Sequence, residues 1–187
     1  MSLLTTPSQT VGPYLKIGFL PLVIDAIAPA GVPGERVTVR GRMSDGEGKP
    51  INDGVLEIWQ ADAQGKYAHP EHGQKTIAAN AFRGFGRILT DGSGAFHFTT
   101  IKPGPVAGSD GKQQAPHLAV TVFMRGMLRH LLTRMYFPGE ALNETDAVLQ
   151  RVTVDRRGTL VAVASGKSIL EWNVVSQGPT ETVFFDF

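Results

Sequence analysis

The five histidines are the side chains through which this sequence would bind a metal ion, and they are spread along the chain. His69 and His72 would share a metal only on a helix or tight turn. Pro70 between them disfavours a helix, so the sequence favours two solvated loop histidines. His117 follows Pro116 at the start of a predicted strand, where we interpret it as structural or interfacial rather than as a ligand.

Three carboxylates, Glu57, Asp62 and Asp91, are candidates for acid–base catalysis. Glu57 lies in a strand whose alternate face is apolar and Asp91 lies in a turn, so surface and turn roles are favoured. No Ser–His–Asp order, phosphate-binding glycine loop or Cys–His pair emerges from the sequence. The Gly84-Phe85-Gly86 segment is not a dinucleotide-binding motif, because no helix is predicted after it.

The composition of the 187 residues narrows the class of protein. A hydrophobic fraction of 42% is enough for one core, which predicts one domain. The 22 glycines and 12 prolines indicate many turns and short strands. A net charge of +1 without a basic cluster argues against nucleic-acid binding, and the lack of cysteine excludes disulfides and thiolate metal sites.

The N-terminal sequence and the apolar runs bear on the cellular compartment of the protein. Residues 1–7 have neither a charged nor an apolar segment, so no signal peptide is predicted. The apolar runs are too short to cross a bilayer, so no membrane association is expected. We expect a cytoplasmic protein.

Alternating apolar and polar residues predict a series of short strands separated by turns. In the first of them, Val37, Val39 and Met43 alternate with polar residues. The predicted strands are 35–43, 55–59, 84–90, 95–101, 117–124, 130–137, 159–164, 168–175 and 181–187, with one short helix at 144–150. This pattern predicts an all-β fold with a β-sandwich core of mostly antiparallel strands and long loops. Residues 62–82 form a polar loop whose length indicates a functional or interface-forming role.

The N-terminal residues predict an extended arm. Pro7, Gly12 and Pro13 interrupt residues 1–20, and no period lasts long enough for a helix. Residues 17–24 are strongly apolar, which favours an arm that packs on another surface over a disordered leader. We therefore divide the chain into an arm and linker, 1–34, which packs on a partner chain, and a sandwich domain, 35–187.

Four segments in order carry a resemblance that spans nearly the whole chain. They are residues 6–14 (TPSQTVGPY), 56–62 (LEIWQAD), 100–105 (TIKPGP) and 181–187 (ETVFFDF). Together they resemble the α-type subunits of protocatechuate 3,4-dioxygenases, within the family of intradiol ring-cleavage dioxygenases. The resemblance implies a β-sandwich and an Fe(III)-dependent enzyme that cleaves protocatechuate with O₂ to 3-carboxy-cis,cis-muconate.

The resemblance also implies that the ferric ion is bound by a β-type partner subunit and not by this chain. Family members hold iron with two tyrosines and a His-x-His pair on one strand, where residues two apart face the same way. The corresponding positions here are Ala119 and Thr121 for the histidines, and Val106 and about Gln74 for the tyrosines. We therefore expect no catalytic residue and no metal ligand in this chain.

The resemblance assigns part of the substrate pocket to this chain's arm. Thr10, Gly12, Pro13 and Tyr14 would reach the partner's active site and form one wall of the pocket. Glycine permits close backbone approach, proline holds the shape, and tyrosine offers a hydroxyl and a flat apolar face. The alternative for these residues is a capped, rigid N-terminal turn.

Arginine is the residue expected to attract the substrate carboxylate. Arg125 follows a buried strand, and its planar, permanently charged guanidinium suits carboxylate recognition. Alternatively, Arg125 is simply an exposed arginine at a strand end. Arg134 is then the rival candidate for attracting the substrate carboxylate. The aromatic tail, with Phe184, Phe185 and Phe187, is expected to dock on its own core or on a partner.

The expected partners are the iron-binding β-type subunit, protocatechuate and O₂, in a higher hetero-oligomer without nucleic acid or membrane. Two other functions stay open at this point. One is a stand-alone β-sandwich binding module without catalysis, because fold does not fix function. The other is a self-sufficient dioxygenase with unusual iron ligands.

Overall fold

A computed structural model describes residues 5–68, 82–108 and 111–186. The strands are β1 (Arg36–Ser44), β2 (Val55–Trp59), β3 (Phe85–Leu89), β4 (Ala95–Ile101), β5 (Val106–Ala107), β6 (Gln113–Gln114), β7 (His117–Phe123), β8 (Leu131–Tyr136), β9 (Val163–Gly166), β10 (Ile169–Glu171) and β11 (Val174–Val175). The helices are α1 (Tyr14–Phe19) and α2 (Val154–Arg157), with short 3₁₀ segments at Leu20–Leu22, Ala141–Glu144 and Leu149–Arg151. In the described ranges, no helix has the length and apolarity that a membrane crossing requires.

Two larger sheets form the predicted all-β sandwich. The four-stranded sheet has the order β3-β2-β7-β8 and is antiparallel throughout. In the five-stranded sheet, β1 pairs with β4 in antiparallel fashion and runs parallel to β10 and β11, and β9 pairs with β10. A separate short ladder joins β5 to β6.

The main core is built from the inward faces of these strands. On β7, Leu118, Val120 and Val122 are buried, whereas Ala119 and Thr121 on the other face are only half-buried. This alternation is the period of two that a strand with one buried face requires. Other strands contribute Val37, Val39, Leu56, Ile58, Phe96 and Phe98 to the same cluster.

A second, smaller core lies outside the four-stranded sheet, where the 3₁₀ segments cover the end of β8. Tyr136 is its centre and is fully buried. The other buried members are Ala115, Leu149, Val152 and Leu160. The buried end of β8 therefore faces a covered surface on both sides of the sheet.

Three aspartates close turns of the same type. Asp45, Asp62 and Asp91 each accept two backbone hydrogen bonds on Oδ1, from the residues two and four positions later, at 2.8–2.9 Å. The glycine three residues after each aspartate has φ between +74° and +81°, in the left-handed region that favours glycine. Asp62 and Asp91 thus serve as turn residues rather than as acid–base catalysts.

The strands predicted at 35–43, 55–59, 84–90, 95–101, 117–124 and 130–137 agree with the structure within one or two residues. The prediction of no helix in residues 1–20 is wrong, because α1 forms there after Pro13. The strand predicted at 181–187 is also wrong over its described residues, where the only ladder contact is one bridge between Phe185 and Leu132. The helix predicted at 144–150 is wrong, because only the ends of that range are helical, in two separate 3₁₀ segments.

The C-terminal tail docks on its own chain. Phe184 packs against the main core and Phe185 against the second core. The backbone N–H of Phe185 donates to the carbonyl oxygen of Leu132 at 2.7 Å. Phe187 lies outside the described residues, as do His69, His72, Gln74 and most of the 62–82 loop.

Candidate functional site

The N-terminal arm contacts the turn between β7 and β8. Oγ1 of Thr10 accepts a hydrogen bond from the backbone N–H of Gly126 at 2.7 Å. Gly12 has φ of +62°, a left-handed conformation that costs a residue with a side chain more than it costs glycine. Pro13 then provides the N-cap position of α1, with φ of −71°. These three residues set the path by which the arm leaves the sandwich.

Helix α1 lies on the surface with no buried residue of its own. Tyr14 at its start is 80% exposed, so its ring and hydroxyl point away from this chain's core. Nζ of Lys16 donates to the carbonyl oxygens of Asn52 and Thr90 and fixes the helix to the sandwich. The other exposed apolar residues of the arm are Val11, Ile17, Leu20, Leu22, Val23 and Ile24.

Arg87 links the end of the arm to the four-stranded sheet. Its guanidinium forms an ion pair with Glu57 at 2.7 Å and lies over the ring of Phe19, 4.3 Å from its centroid. A backbone bridge joins Arg87 to Ile24. Glu57 is therefore a partner of this arginine and does not join Asp62 or Asp91 in a carboxylate group.

Arg125 presents a fixed positive charge beside the arm. Its Nε lies 3.3 Å from Oδ2 of Asp53, and its backbone N–H donates to the same oxygen at 3.2 Å. The Asp53 side chain is 12% exposed and the Arg125 side chain is 60% exposed. An ion pair with one exposed partner adds little stability, and we interpret its effect as holding the guanidinium in place.

The structure therefore brings Thr10 to the residue next to Arg125, and Gly12, Pro13 and Tyr14 follow on the arm. The part of these residues in a substrate pocket stays a prediction. Sequence reasoning missed two supporting residues. Lys16 fixes helix α1 of the arm to the sandwich, and Asp53 holds the guanidinium of Arg125. The Asn52-Asp53-Gly54 segment is a turn signal that would have drawn attention to Asp53.

Arg134 lies elsewhere, on the outer face of the four-stranded sheet. It is the direct partner of Ala119 in β7, and Ala119 is in turn the direct partner of Trp59 in β2. Nη1 of Arg134 donates to Oε1 of Gln114 at 2.7 Å and is 3.4 Å from Oη of Tyr136. Of the two candidate arginines, Arg125 is thus the one that lies beside the arm.

A buried hydrogen-bond network supports this face of the sheet. Oη of Tyr136 donates to Oδ1 of Asp146 at 3.0 Å, and burial raises the pKa of the Tyr136 hydroxyl. Asp146 also accepts hydrogen bonds from the backbone N–H groups of Ala115, Val148 and Leu149 at 2.8–3.0 Å. A carboxylate that accepts four hydrogen bonds is well satisfied although it is buried.

His117 belongs to the same region and is buried. Burial lowers its pKa to about 4, and the positive charge of Arg134 acts in the same direction. The ring is therefore neutral at neutral pH, and its Nδ1 lies 2.7 Å from the carbonyl oxygen of Ala115. This geometry agrees with the structural role that the sequence favours.

Comparison with known proteins decides the family. A family model described as "Dioxygenase" matches residues 26–178, which include every strand of both sheets. The protocatechuate 3,4-dioxygenase alpha chain of Burkholderia cepacia is 40% identical over 197 residues, which cover 97% of this chain and 96% of the relative. The chain belongs to the intradiol dioxygenase family.

Two further similar proteins extend the comparison. The protocatechuate 3,4-dioxygenase beta chain of Burkholderia cepacia is 35% identical over 131 residues, covering 69% of this chain and 56% of the relative. The solved dioxygenase domain of a dioxygenase–carbohydrate-binding fusion from Streptomyces sp. SirexAA-E superposes with a TM-score of 0.63 at 28% identity. That alignment covers 92% of this chain and 98% of the other.

Three of the four positions that the resemblance assigns to iron ligands lie in the described residues, and their side chains do not suit ferric iron. Val106 is buried and apolar, Ala119 carries no donor atom, and Thr121 offers one neutral hydroxyl. Arg134 adds a positive charge directly beside Ala119. No group of three or more His, Cys, Asp or Glu suited to a metal occurs in residues 5–68, 82–108 and 111–186.

Proposed function

We propose that this chain is the non-iron-binding α-type subunit of an Fe(III)-dependent protocatechuate 3,4-dioxygenase. The similarity to an alpha chain covers 97% of this chain, whereas the similarity to a beta chain covers 69%. The described positions that correspond to the family's iron ligands lack suitable donors, which supports the assignment of the ferric ion to a β-type partner.

The proposed reaction cleaves protocatechuate with O₂ to 3-carboxy-cis,cis-muconate. Ferric iron held by a β-type partner would supply the activation of the ring toward O₂. This chain would bind and orient the substrate's other end, and it would keep water from that side of the pocket. It supplies no group that reacts.

The observation that best supports this proposal is the hydrogen bond from the backbone N–H of Gly126 to Oγ1 of Thr10. That bond places the arm beside the turn that holds Arg125. The exposed guanidinium of Arg125 would attract the substrate carboxylate, and the carboxylate of Asp53 fixes its position. Gly12, Pro13 and the exposed Tyr14 would form the adjoining wall.

The exposed apolar residues of the arm support a partner chain as the surface that covers them. Ile17, Leu20 and Leu22 are each more than half exposed. Isolated proteins rarely leave so many apolar residues exposed together on one segment. A higher hetero-oligomer of α-type and β-type chains would bury them.

The decisive experiment produces this chain alone and together with a β-type subunit. Iron content, the visible absorption of tyrosinate-bound ferric ion and protocatechuate turnover are measured for both. We expect iron, colour and turnover in the complex only. Stoichiometric iron and colour in the lone chain would contradict the proposal, and failure to form any stable complex would favour a stand-alone binding module.

A further inference from the structure

The turn formed by residues 52–54, directly before β2, contacts both elements that would face the substrate. On one side, the carbonyl oxygen of Asn52 accepts a hydrogen bond from Nζ of Lys16, on helix α1, at 2.5 Å. On the other side, Oδ2 of Asp53 lies 3.3 Å from Nε of Arg125 and accepts its backbone N–H at 3.2 Å. The arm and the arginine are therefore held by neighbouring residues of one short turn.

Buried contacts with Thr90 fix this turn in place. Thr90 is 1% exposed, and its Oγ1 accepts the backbone N–H of Gly54 at 2.9 Å. The backbone N–H of Thr90 donates to the carbonyl oxygen of Gly54 at 3.0 Å, and the carbonyl oxygen of Thr90 accepts Nζ of Lys16 at 2.6 Å. Buried hydrogen bonds are costly to leave unmade, so Asp53 is carried on a segment that resists displacement.

The contact with Asp53 leaves the outer end of the Arg125 guanidinium available to a ligand. Asp53 approaches Nε, and the two terminal nitrogens donate no hydrogen bond to any residue in the part of the chain that the structure describes. A carboxylate ligand pairs best with two parallel N–H groups of a guanidinium that is held in a fixed plane. Asp53 is thus placed to set the direction of that plane.

We propose that Asp53 is a positioning residue that sets the preference for a ring substrate bearing a carboxylate over the same ring without one. It acts through Arg125, whereas Lys16 uses the same turn to hold the arm against the ring itself. This inference rests on the proposed function, because it needs the substrate pocket to lie at the arm. It adds the residue that determines the specificity of this pocket.

Asp53 would have two opposing effects on an anionic substrate. Its negative charge repels the substrate carboxylate, and across a guanidinium in a solvent-exposed site this changes the affinity by roughly threefold. Its contact with Arg125 keeps a charge-assisted bond aligned, and the loss of such a bond changes the affinity about tenfold. The positional effect is therefore the larger of the two.

The test compares Asp53→Ala with Asp53→Asn, each in the complex with a β-type subunit. Both variants lack the charge, but only asparagine keeps an acceptor for Arg125, so the ratio of their dissociation constants isolates the positional effect. Calorimetric titration without O₂ measures binding of protocatechuate and of catechol, which lacks the carboxylate. We expect Asp53→Ala to bind protocatechuate about tenfold more weakly than Asp53→Asn does, with equal binding of catechol.

Two further variants complete the comparison. Lys16→Met removes the ammonium group and keeps the stem, so it should weaken protocatechuate and catechol by the same factor. Asp155→Ala is the matched control, because it removes one exposed carboxylate at the start of α2 and should change neither affinity. A loss in Lys16→Met that is confined to protocatechuate would overturn the division of roles between Lys16 and Asp53.

The remaining outcomes separate this inference from the proposed function. Equal protocatechuate affinity in the two Asp53 variants would overturn the inference alone, as would an equal loss of protocatechuate and catechol binding in Asp53→Ala. Iron content and circular dichroism verify that each complex is assembled and folded, and failure of both Asp53 variants to assemble would show that Asp53 is a structural residue and overturn the inference. No protocatechuate turnover by the wild-type complex would overturn the proposed function, and the inference with it.

Discussion

Thr10 and Gly126 are 116 residues apart in the sequence, yet the side-chain oxygen of Thr10 accepts the backbone N–H of Gly126 at 2.7 Å. The bond joins the N-terminal arm to a turn of the four-stranded sheet. Its exposure to solvent limits its contribution to stability. Its main effect is to fix where the arm lies relative to Arg125.

Replacement of Thr10 by valine should therefore act on substrate binding more than on folding. Valine keeps the shape of the side chain and removes the acceptor for Gly126. We expect the KM of the complex for protocatechuate to rise about 3- to 10-fold, which corresponds to one lost hydrogen bond. Iron content and the unfolding midpoint should stay unchanged. Thr10→Ser restores the hydroxyl and should restore the KM, and an unchanged KM in Thr10→Val would show that the bond does not position the pocket.

Replacement of Arg125 by alanine should raise the KM for protocatechuate about tenfold or more, because a charge-assisted contact to the substrate carboxylate is lost. Iron content should not change. Steady-state kinetics of the complex measure the effect, and Arg129→Ala serves as the control for loss of one surface charge. A rise of the KM in Arg134→Ala, with none in Arg125→Ala, would transfer the role to the rival arginine.

Gly65 allows the turn at Asp62 to pack against residues 100–105. A Cβ at Gly65 would lie 2.0 Å from the carbonyl oxygen of Pro105, whereas a Cβ at Gly48 would meet nothing within 4 Å. Both glycines have similar positive φ values, +78° and +81°. Gly48→Ala should therefore cost about 1 kcal/mol of unfolding free energy from backbone strain alone. Gly65→Ala should cost clearly more in urea denaturation, and equal costs would contradict the contact with Pro105.

The network around Tyr136 should contribute measurably to stability. Tyr136→Phe removes the hydroxyl that donates to Asp146 and leaves the ring in its buried place. We expect a loss of about 1–2 kcal/mol in the free energy of unfolding, measured with urea. Asp146→Ala should cost more, because three backbone N–H groups, two of them buried, lose their acceptor as well. Val163→Ala on the exposed strand β9 is the control and should change little.

His117 should make the protein less stable in mild acid. Its pKa is about 4 in the folded chain and 6.5 as its ordinary value, so the unfolded chain binds the extra proton first. The stabilisation of the folded state that comes from the neutral His117 ring is complete above pH 6.5. It is lost as the pH falls from 6.5 toward 4. Its full size is on the order of 3 kcal/mol.

The measurement for His117 is urea unfolding at pH 7 and at pH 4.5 for the wild-type chain and for His117→Asn. Asparagine keeps a donor near the carbonyl oxygen of Ala115 and has no charge to gain. The difference between the two proteins cancels the acid sensitivity of other groups, such as Asp91 and Glu171, whose pKa values are also lowered. Equal pH dependence in both proteins would rule out His117 as the source.

Local patterns predicted most of the sandwich. The alternation on β7 between Leu118 or Val120 and Ala119 or Thr121 is a property of neighbouring residues, and it appears in the structure as expected. Helix α1 has no such pattern, because it is six residues long, follows Pro13 and buries none of its side chains. Its position depends on Lys16, whose partners are Asn52 and Thr90, far away in the sequence.

The candidate site was only partly predictable, because it too depends on contacts between residues that are far apart in the sequence. The arm residues and Arg125 were identified through a resemblance in short segments, whereas their support by Asp53 depends on the folded chain. The turn role of Asp91 was predicted, and that of Asp62 could have been, because both begin the same Asp-x-x-Gly pattern as Asp45.

The arm is attached at two points before any partner arrives, at Thr10 through Gly126 and at Ile24 through the backbone bridge to Arg87. A partner chain therefore meets a surface that is already ordered, so the loss of chain entropy on association is small. We expect complex formation to follow simple bimolecular kinetics, with an observed rate that rises linearly with partner concentration. A slow step of constant rate would instead mark an arm that orders only after contact.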